Sequence, residues 1–106
     1  MFYGKHNEGT LVKIAVVGMG KIGLPLAAQY ASKGHTVIGV DVNPAKVNII
    51  NSAEEPFTGE FGLAAALKSY VPSGLLRATT SYEDAIPSAD VVVVVVPLFV
   101  DESDQP

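Results

Sequence analysis

The chain has 106 residues, 48% of them hydrophobic and 17% charged, a composition typical of one small globular domain. Its formal net charge of −4 argues against a nucleic-acid-binding surface, which is usually basic. The chain contains no cysteine, so disulfides, thiolate zinc sites and a cysteine nucleophile are excluded within it. His6 and His35 are its only histidines, and we predict no metal site.

No stretch of the sequence is typical of a membrane protein or a secreted one. Residues 1–10 lack the apolar core of a signal peptide. The longest apolar run, Val91–Val100, is interrupted by Pro97 and has about half the length that a membrane span needs. We therefore expect a cytoplasmic protein, with residues 1–10 as a flexible lead-in and residues 101–106 as a loose acidic tail.

The first predicted unit is a strand, a turn and a helix. Leu11–Val17 is a valine-rich apolar run and predicts a strand covered on both faces. The glycine-rich segment Gly18–Gly23 predicts the turn. Apolar residues at helical spacing then predict a helix to Lys33, with Gly34 as its stop. Pro25 is compatible with this helix because it falls in the first turn.

A second strand and two helices follow. Thr36–Val40 predicts the strand. Asn43 and Pro44 have the residue types of an N-cap and a first helical position, and predict a helix that runs to about Asn51. After a loop, Glu60–Tyr70 predicts a short amphipathic helix.

The last predicted elements complete an alternation of strands and helices. Leu76–Thr80 predicts a third strand, Ser81 the cap of a short helix, and the all-valine segment Val91–Val96 a central fourth strand. This alternation predicts an α/β fold: a partial, Rossmann-like parallel sheet of about four strands in the order 3-2-1-4, with helices on both faces. We expect the domain to span residues 11–100.

The turn carries the pattern G-x-G-x-x-G between a strand and a helix, a context that indicates dinucleotide binding. Gly18 would permit the tight turn, Gly20 would let the backbone approach a pyrophosphate, and Gly23 would allow close helix packing. Asp41 ends the second strand 18 residues after Gly23, near the separation of roughly 20 typical of this fold.

The predicted ligand is NAD and not NADP. The amides of Lys21 and Ile22 would lie at a helix N-terminus, which favours an anion. The carboxylate of Asp41 would accept hydrogen bonds from the adenosine ribose hydroxyls and repel a 2′-phosphate. The segment directly after Asp41 contains no arginine that could accommodate such a phosphate.

Other interpretations of these residues stay open at this point. The glycines could form a plain strand–helix connection, with Asp41 as a strand-end cap. Lys21 could be catalytic or simply solvated. Lys46, five residues after Asp41, is either a cation near the ribose or an exposed helix lysine.

Four segments resemble the N-terminal domain of the UDP-glucose/GDP-mannose dehydrogenase family of nucleotide-sugar 6-dehydrogenases. These segments are KIAVVGMGKIGLPLA (Lys13–Ala27), KGHTVIGVDVNPAKV (Lys33–Val47), GEFGL (Gly59–Leu63) and SGLLRATTSYEDAIPSADVVVVVVP (Ser73–Pro97). The last is the most specific, since many NAD proteins share the first. The family includes enzymes that act on UDP-N-acetyl-mannosamine or UDP-N-acetyl-glucosamine.

The resemblance implies a two-step oxidation of a sugar C6 alcohol to a carboxylate with two NAD. It implies backbone contact of Ile22 with the pyrophosphate and places Lys46 at the adenosine ribose. Pro97 and Leu98, after the fourth strand, complete the predicted cofactor-binding set. Lys21 stands where many members have tyrosine, and Leu98 where many have threonine near the nicotinamide.

Members of this family use a cysteine in a later domain, whereas this chain has no cysteine and no predicted catalytic residue. We therefore expect the NAD-binding part of a longer enzyme whose substrate is a UDP- or GDP-sugar. With four strands only, Val91–Val96 would form an apolar sheet edge, and such edges pair with other chains. This predicts a homodimer, or poor solubility, for the chain.

Two further hypotheses have the same glycine turn. One is the cofactor domain of a 3-hydroxyisobutyrate-type or 3-hydroxyacyl-CoA-type dehydrogenase. The other is a non-catalytic NAD-sensing regulatory module. The second is disfavoured because such modules reach their third strand soon after the acid, whereas here 35 residues separate Asp41 from Leu76.

Overall fold

The computed structural model describes residues 10–96 as a four-stranded parallel sheet with helices on both faces. The strand order is β3-β2-β1-β4, which confirms the predicted α/β fold and its strand order. In chain order the elements are β1 (Lys13–Val17), α1 (Gly23–Ser32), β2 (Thr36–Val40), α2 (Pro44–Asn51), α3 (Leu63–Tyr70), β3 (Leu76–Thr79), α4 (Tyr82–Ala85) and β4 (Val91–Val94).

Three predicted boundaries were too generous by two residues or more. The third helix begins at Leu63 and not at Glu60, because Gly62 before it has a left-handed backbone (φ +80°) that no α-helix accommodates. Strand β1 begins two residues later than predicted, at Lys13. Strand β4 ends at Val94, two residues earlier than predicted.

The parallel register brings the ends of three strands together. Val17 of β1 pairs with Val40 of β2 on one side and with Val94 of β4 on the other. The carboxyl ends of these strands therefore lie side by side at one edge of the sheet. The segments that follow them, among them the glycine turn, meet there.

The larger core lies between one face of the sheet and helices α1, α2 and α3. Leu24 of α1, Ile50 of α2 and Leu67 of α3 are fully buried in it, over Val16 of the central strand. Burying such a side chain contributes about 1.5–3 kcal/mol, so these contacts dominate the stability of the fold.

The opposite face carries a smaller core. Ala15, Ile38 and Val40 pack there against Ala85 of the short helix α4. The alternation of buried side chains along β1 and β2 thus serves both faces, as expected of strands buried on both sides. Among the described residues, no helix is both long enough and apolar enough to cross a membrane.

The two edges of the described sheet differ. At the β3 edge, the side-chain amide of Asn51 donates to the Ala78 carbonyl (2.9 Å) and accepts from the Ala78 N–H (2.8 Å). Asn51 therefore occupies the backbone N–H and C=O of Ala78, which another strand would use. At the other edge, β4 pairs only with β1 among the described strands, and Val92 and Val94 are 43% and 61% exposed. The fourth strand, predicted as central, thus lies at the edge of the described sheet.

Candidate functional site

A cavity of about 480 Å³ lies where the carboxyl ends of the strands meet. Its lining consists of Gly18, Gly20, Lys21, Ile22, Gly23, Asp41, Lys46 and Val95. Seven of the nine residues predicted from the sequence therefore surround one space, whose volume suits a small-molecule ligand. The other two predicted residues, Pro97 and Leu98, lie outside the described residues.

Two glycines of the turn are required by the fold itself. Gly18 has a φ of +103°, and a Cβ there would lie 2.8 Å from the carbonyl oxygen of Val95. A Cβ on Gly23 would overlap the carbonyl oxygen of Gly18. The turn closes against its own backbone, so neither position accepts a side chain without a backbone shift.

Gly20 is different, because the fold makes no demand on it. A Cβ at this position would meet no heavy atom within 4 Å, and Gly20 has no left-handed backbone conformation. The added atom would stand in the space that the cavity provides. The absence of a side chain at Gly20 keeps this space open for a ligand that approaches the backbone closely.

The start of α1 carries free hydrogen-bond donors. The amides of Lys21 and Ile22 donate to no other group within residues 10–96. Ile22, the N-cap residue, offers no side-chain acceptor, whereas Asn43 and Ser81 cap α2 and α4 with their side chains. An uncapped helix start with free N–H groups in a cavity is suited to an anion.

Met19 fixes the position of the turn, a contact that the sequence reasoning missed. Its side chain is fully buried against Gly39 of β2, where a Cβ would overlap the sulfur atom. Its amide donates to Oδ2 of Asp41 (2.9 Å). A glycine inside the strand pattern Thr36–Val40 was the available signal, because such a glycine marks a close approach.

Asp41 is the polar centre of the cavity wall. Its Oδ2 accepts from the amide of Met19 and from Nζ of Lys46 (3.3 Å), and its Oδ1 accepts from the amide of Asn43 (3.0 Å). Desolvation by burial acts to raise the pKa of Asp41. The two amide hydrogen bonds and the Lys46 ammonium together outweigh it and hold this pKa below its ordinary value.

Asp41 and Lys46 pair with each other, and both line the cavity. Asp41 does hold the end of its strand, as a cap would, yet it also lines the cavity. The Lys46 side chain is only 26% exposed and pairs with Asp41, so it is not a freely solvated helix lysine. Within residues 10–96, Oδ1 of Asp41 accepts from a single donor, the Asn43 amide, and retains capacity for a ligand hydroxyl.

Two further features bear on the choice of site. Val95, which the sequence reasoning did not single out, forms part of the cavity wall beside Gly18. A second hollow, of about 410 Å³, lies between α1 and α3 and is lined by Phe61 and Tyr70 among others. Glu60 is the one charged residue among the described residues that line this hollow. Within residues 10–96, no group of acidic and histidine side chains could hold a metal ion.

Substitution by alanine should destabilise the protein strongly at Gly23 and only slightly at Gly20. Gly23→Ala should lower the free energy of unfolding by about 3 kcal/mol or prevent folding, because the new Cβ overlaps a backbone oxygen. Gly20→Ala should change it by less than about 1 kcal/mol, because its Cβ meets nothing. Chemical denaturation followed by circular dichroism measures both. Equal destabilisation by the two variants would contradict this account of the turn.

The hydrogen bonds of Asp41 predict a pH-dependent contribution to stability. Because its folded pKa lies below the unfolded value of about 3.9, the contribution is complete above that value and is lost as the pH falls through the folded pKa. Asp41→Asn should cost roughly 1–3 kcal/mol at neutral pH. The difference between the two proteins should shrink in acid, as measured by urea denaturation across this range. A difference that stays constant to the lowest pH would refute the ionic role.

Comparison with known proteins places this geometry in a family. Residues 12–105 match the NAD-binding domain of the UDP-glucose/GDP-mannose dehydrogenase family. GDP-mannose 6-dehydrogenase of Pseudomonas putida is 38% identical over 85 residues, which make up 80% of this chain and 19% of that enzyme. UDP-N-acetyl-D-mannosamine dehydrogenase of Methanococcus maripaludis is 40% identical over 93 residues, or 88% of this chain and 21% of that enzyme.

A solved structure agrees with these relatives. The ternary complex of GDP-mannose dehydrogenase from Pseudomonas aeruginosa superposes with a TM-score of 0.80 at 33% identity, over 86% of this chain and 21% of the enzyme. The chain thus spans about a fifth of the length of the relatives it matches. The strand order, the glycine turn and the family match lead to one conclusion: this chain belongs to the UDP-glucose/GDP-mannose dehydrogenase family, as its NAD-binding domain.

Proposed function

We propose that this chain is the NAD-binding part of a nucleotide-sugar 6-dehydrogenase, which oxidises a sugar C6 alcohol to a carboxylate with two NAD. The observation that carries the proposal is the space over Gly20, next to the free amides at the start of α1. A turn that served only to connect β1 to α1 would not need this position to lack a side chain. The names of the matched relatives, GDP-mannose 6-dehydrogenase among them, support the reaction.

Each cavity residue has a proposed part in holding NAD. The pyrophosphate lies over Gly20 and accepts from the amides of Lys21 and Ile22. The adenosine ribose hydroxyls donate to Asp41, and Lys46 beside it orients the carboxylate. Gly18 and Gly23 shape the turn that presents these groups.

The nicotinamide end of the cofactor belongs at the far side of the turn. Val95 forms the described wall there, and we propose that Pro97 and Leu98 take part in binding the cofactor. Bound NAD supplies the hydride acceptor for the oxidation. No residue of this chain is proposed as catalytic, and the UDP- or GDP-sugar is the proposed substrate of the whole enzyme.

We propose NAD, not NADP, as the cofactor because of the charge of Asp41. A 2′-phosphate on the ribose would bring a second anion next to a carboxylate that is only 11% exposed. Like charges at such a site repel each other more strongly than in bulk water. The pairing of Asp41 with Lys46 lowers this repulsion. It does not remove the repulsion, because two backbone amides keep the Asp41 carboxylate ionised and negatively charged.

A ligand titration of Gly20→Ala tests the proposed function. NADH should shift the amide NMR signals of the glycine turn in the wild-type chain, and NADPH should bind more weakly. Gly20→Ala should bind NADH at least about tenfold more weakly, because the Cβ fills the space needed by the pyrophosphate. Its unfolding free energy, measured on the same sample, is the control. Undiminished NADH binding by the folded variant, or none by the wild type at millimolar NADH, would refute the assignment.

We also propose that the chain self-associates along β4, whose edge carries Val92 and Val94. Asn51 blocks the β3 edge at Ala78, whereas no group within residues 10–96 pairs with the outer side of β4. Val94→Lys should convert a dimer into a monomer in light scattering, because a charge on the edge opposes pairing. Phe61→Lys, which places the same charge at a fully exposed residue elsewhere, is the control. A wild-type monomer at high concentration would contradict the proposal.

A further inference from the structure

Two cationic side chains line the cavity, and within residues 10–96 only one of them has an ion-pair partner. Asp41 and Lys46 face each other across 3.3 Å and largely neutralise one another. The Lys21 side chain lines the same cavity and is exposed, and it has no hydrogen bond or ion pair within residues 10–96. The cavity wall therefore carries one uncompensated positive charge, although the whole chain has a net charge of −4.

The position of Lys21 relates this charge to the start of α1. Lys21 immediately precedes Ile22, the N-cap of α1, and its own amide is one of the two free donors there. The helix end already favours an anion through its N–H groups and its dipole. Two neutral amides supply no net charge to balance the two negative charges of a pyrophosphate, so a nearby cation adds to its attraction.

We propose that the ammonium of Lys21 is the counter-charge for the diphosphate of the ligand, in addition to the contact made by its backbone amide. This inference rests on the proposed function and deepens it, because it assigns to a side chain a part of the affinity that backbone recognition alone would not supply. A lysine acts here as a mobile point charge on a flexible stem. Its contribution therefore depends on ionic strength, whereas amide contacts depend on it much less.

The structure offers a matched control for the loss of charge. Lys33 is the C-cap of α1, at the opposite end of the helix. At a rise of about 1.5 Å per residue, it lies roughly 15 Å or more from the cavity end of α1. Lys33→Gln and Lys21→Gln change the net charge equally. A difference in ligand affinity between the two variants therefore reports the local effect of the charge at Lys21.

The experiment compares adenosine diphosphate with adenosine as probes for the 106-residue chain, by NMR titration at low and high salt. Lys21→Gln should weaken binding of adenosine diphosphate roughly three- to tenfold at low salt, with a smaller effect at high salt. It should leave adenosine binding unchanged. Lys21→Arg should retain most of the affinity for the diphosphate, because it retains the charge.

The outcomes separate this inference from the proposed function. Equal weakening by Lys21→Gln and Lys33→Gln, or no weakening by either while the wild type still prefers the diphosphate, would overturn the role of the Lys21 side chain and leave the NAD site intact. A loss in Lys21→Arg as large as in Lys21→Gln would do the same. A wild-type chain that binds adenosine as well as adenosine diphosphate would instead overturn the pyrophosphate site itself.

Discussion

The hydrogen bond from the Met19 amide to the Asp41 carboxylate joins the parts of this domain that form its cavity. Met19 lies in the glycine turn after β1, and Asp41 follows the end of β2. The same carboxylate receives the amide of Asn43, the N-cap of α2, and the ammonium of Lys46 in the first turn of that helix. One ionised side chain thus holds three segments at fixed distances, and the low pKa of Asp41 is the electrostatic consequence.

This arrangement changes the meaning of the acid in the dinucleotide pattern. The acid of this pattern is expected to bind the ribose, yet both carboxylate oxygens of Asp41 already accept hydrogen bonds from backbone amides of the protein. A carboxylate held in this way does not need to reorganise when a hydroxyl approaches. The stability of the turn and the readiness of the site therefore come from the same bonds, and a substitution of Asp41 affects both.

Most of the fold followed from local patterns in the sequence. The valine-rich runs predicted three of the four strands, and Asn43 and Ser81 predicted helix starts that the structure confirms with side-chain caps. Strand order followed from the regular alternation of elements and from the preference for right-handed crossovers. The ends of helices and strands were less predictable where the backbone conformation of one residue determines them, as at Gly62. A positive φ at that residue produces no hydrophobic pattern in the neighbouring sequence.

The sequence predicted which residues line the cavity but not the contacts that these residues make with one another. The spacing of Gly18, Gly20, Gly23 and Asp41 was enough to place them together. It could not show that Gly18 and Gly23 serve the fold whereas Gly20 serves the cavity, because that difference depends on three-dimensional neighbours. The burial of Met19 against Gly39 could not be predicted either. The two residues are 20 positions apart, and only the folded structure shows that the Met19 side chain fills the space beside Gly39.

Val95 connects the cavity to β4, which is an edge strand of the sheet that residues 10–96 form. Its amide donates to the Val17 carbonyl (2.9 Å), which continues the ladder of β4 one residue beyond the strand. Its carbonyl oxygen lies against Gly18, so the end of β4 rests directly on the glycine turn. A strand that pairs with β4 would hold this end in place, and with it one wall of the cavity. The proposed pairing at the β4 edge and the proposed ligand site at the turn therefore share one backbone segment, the end of β4 at Val95.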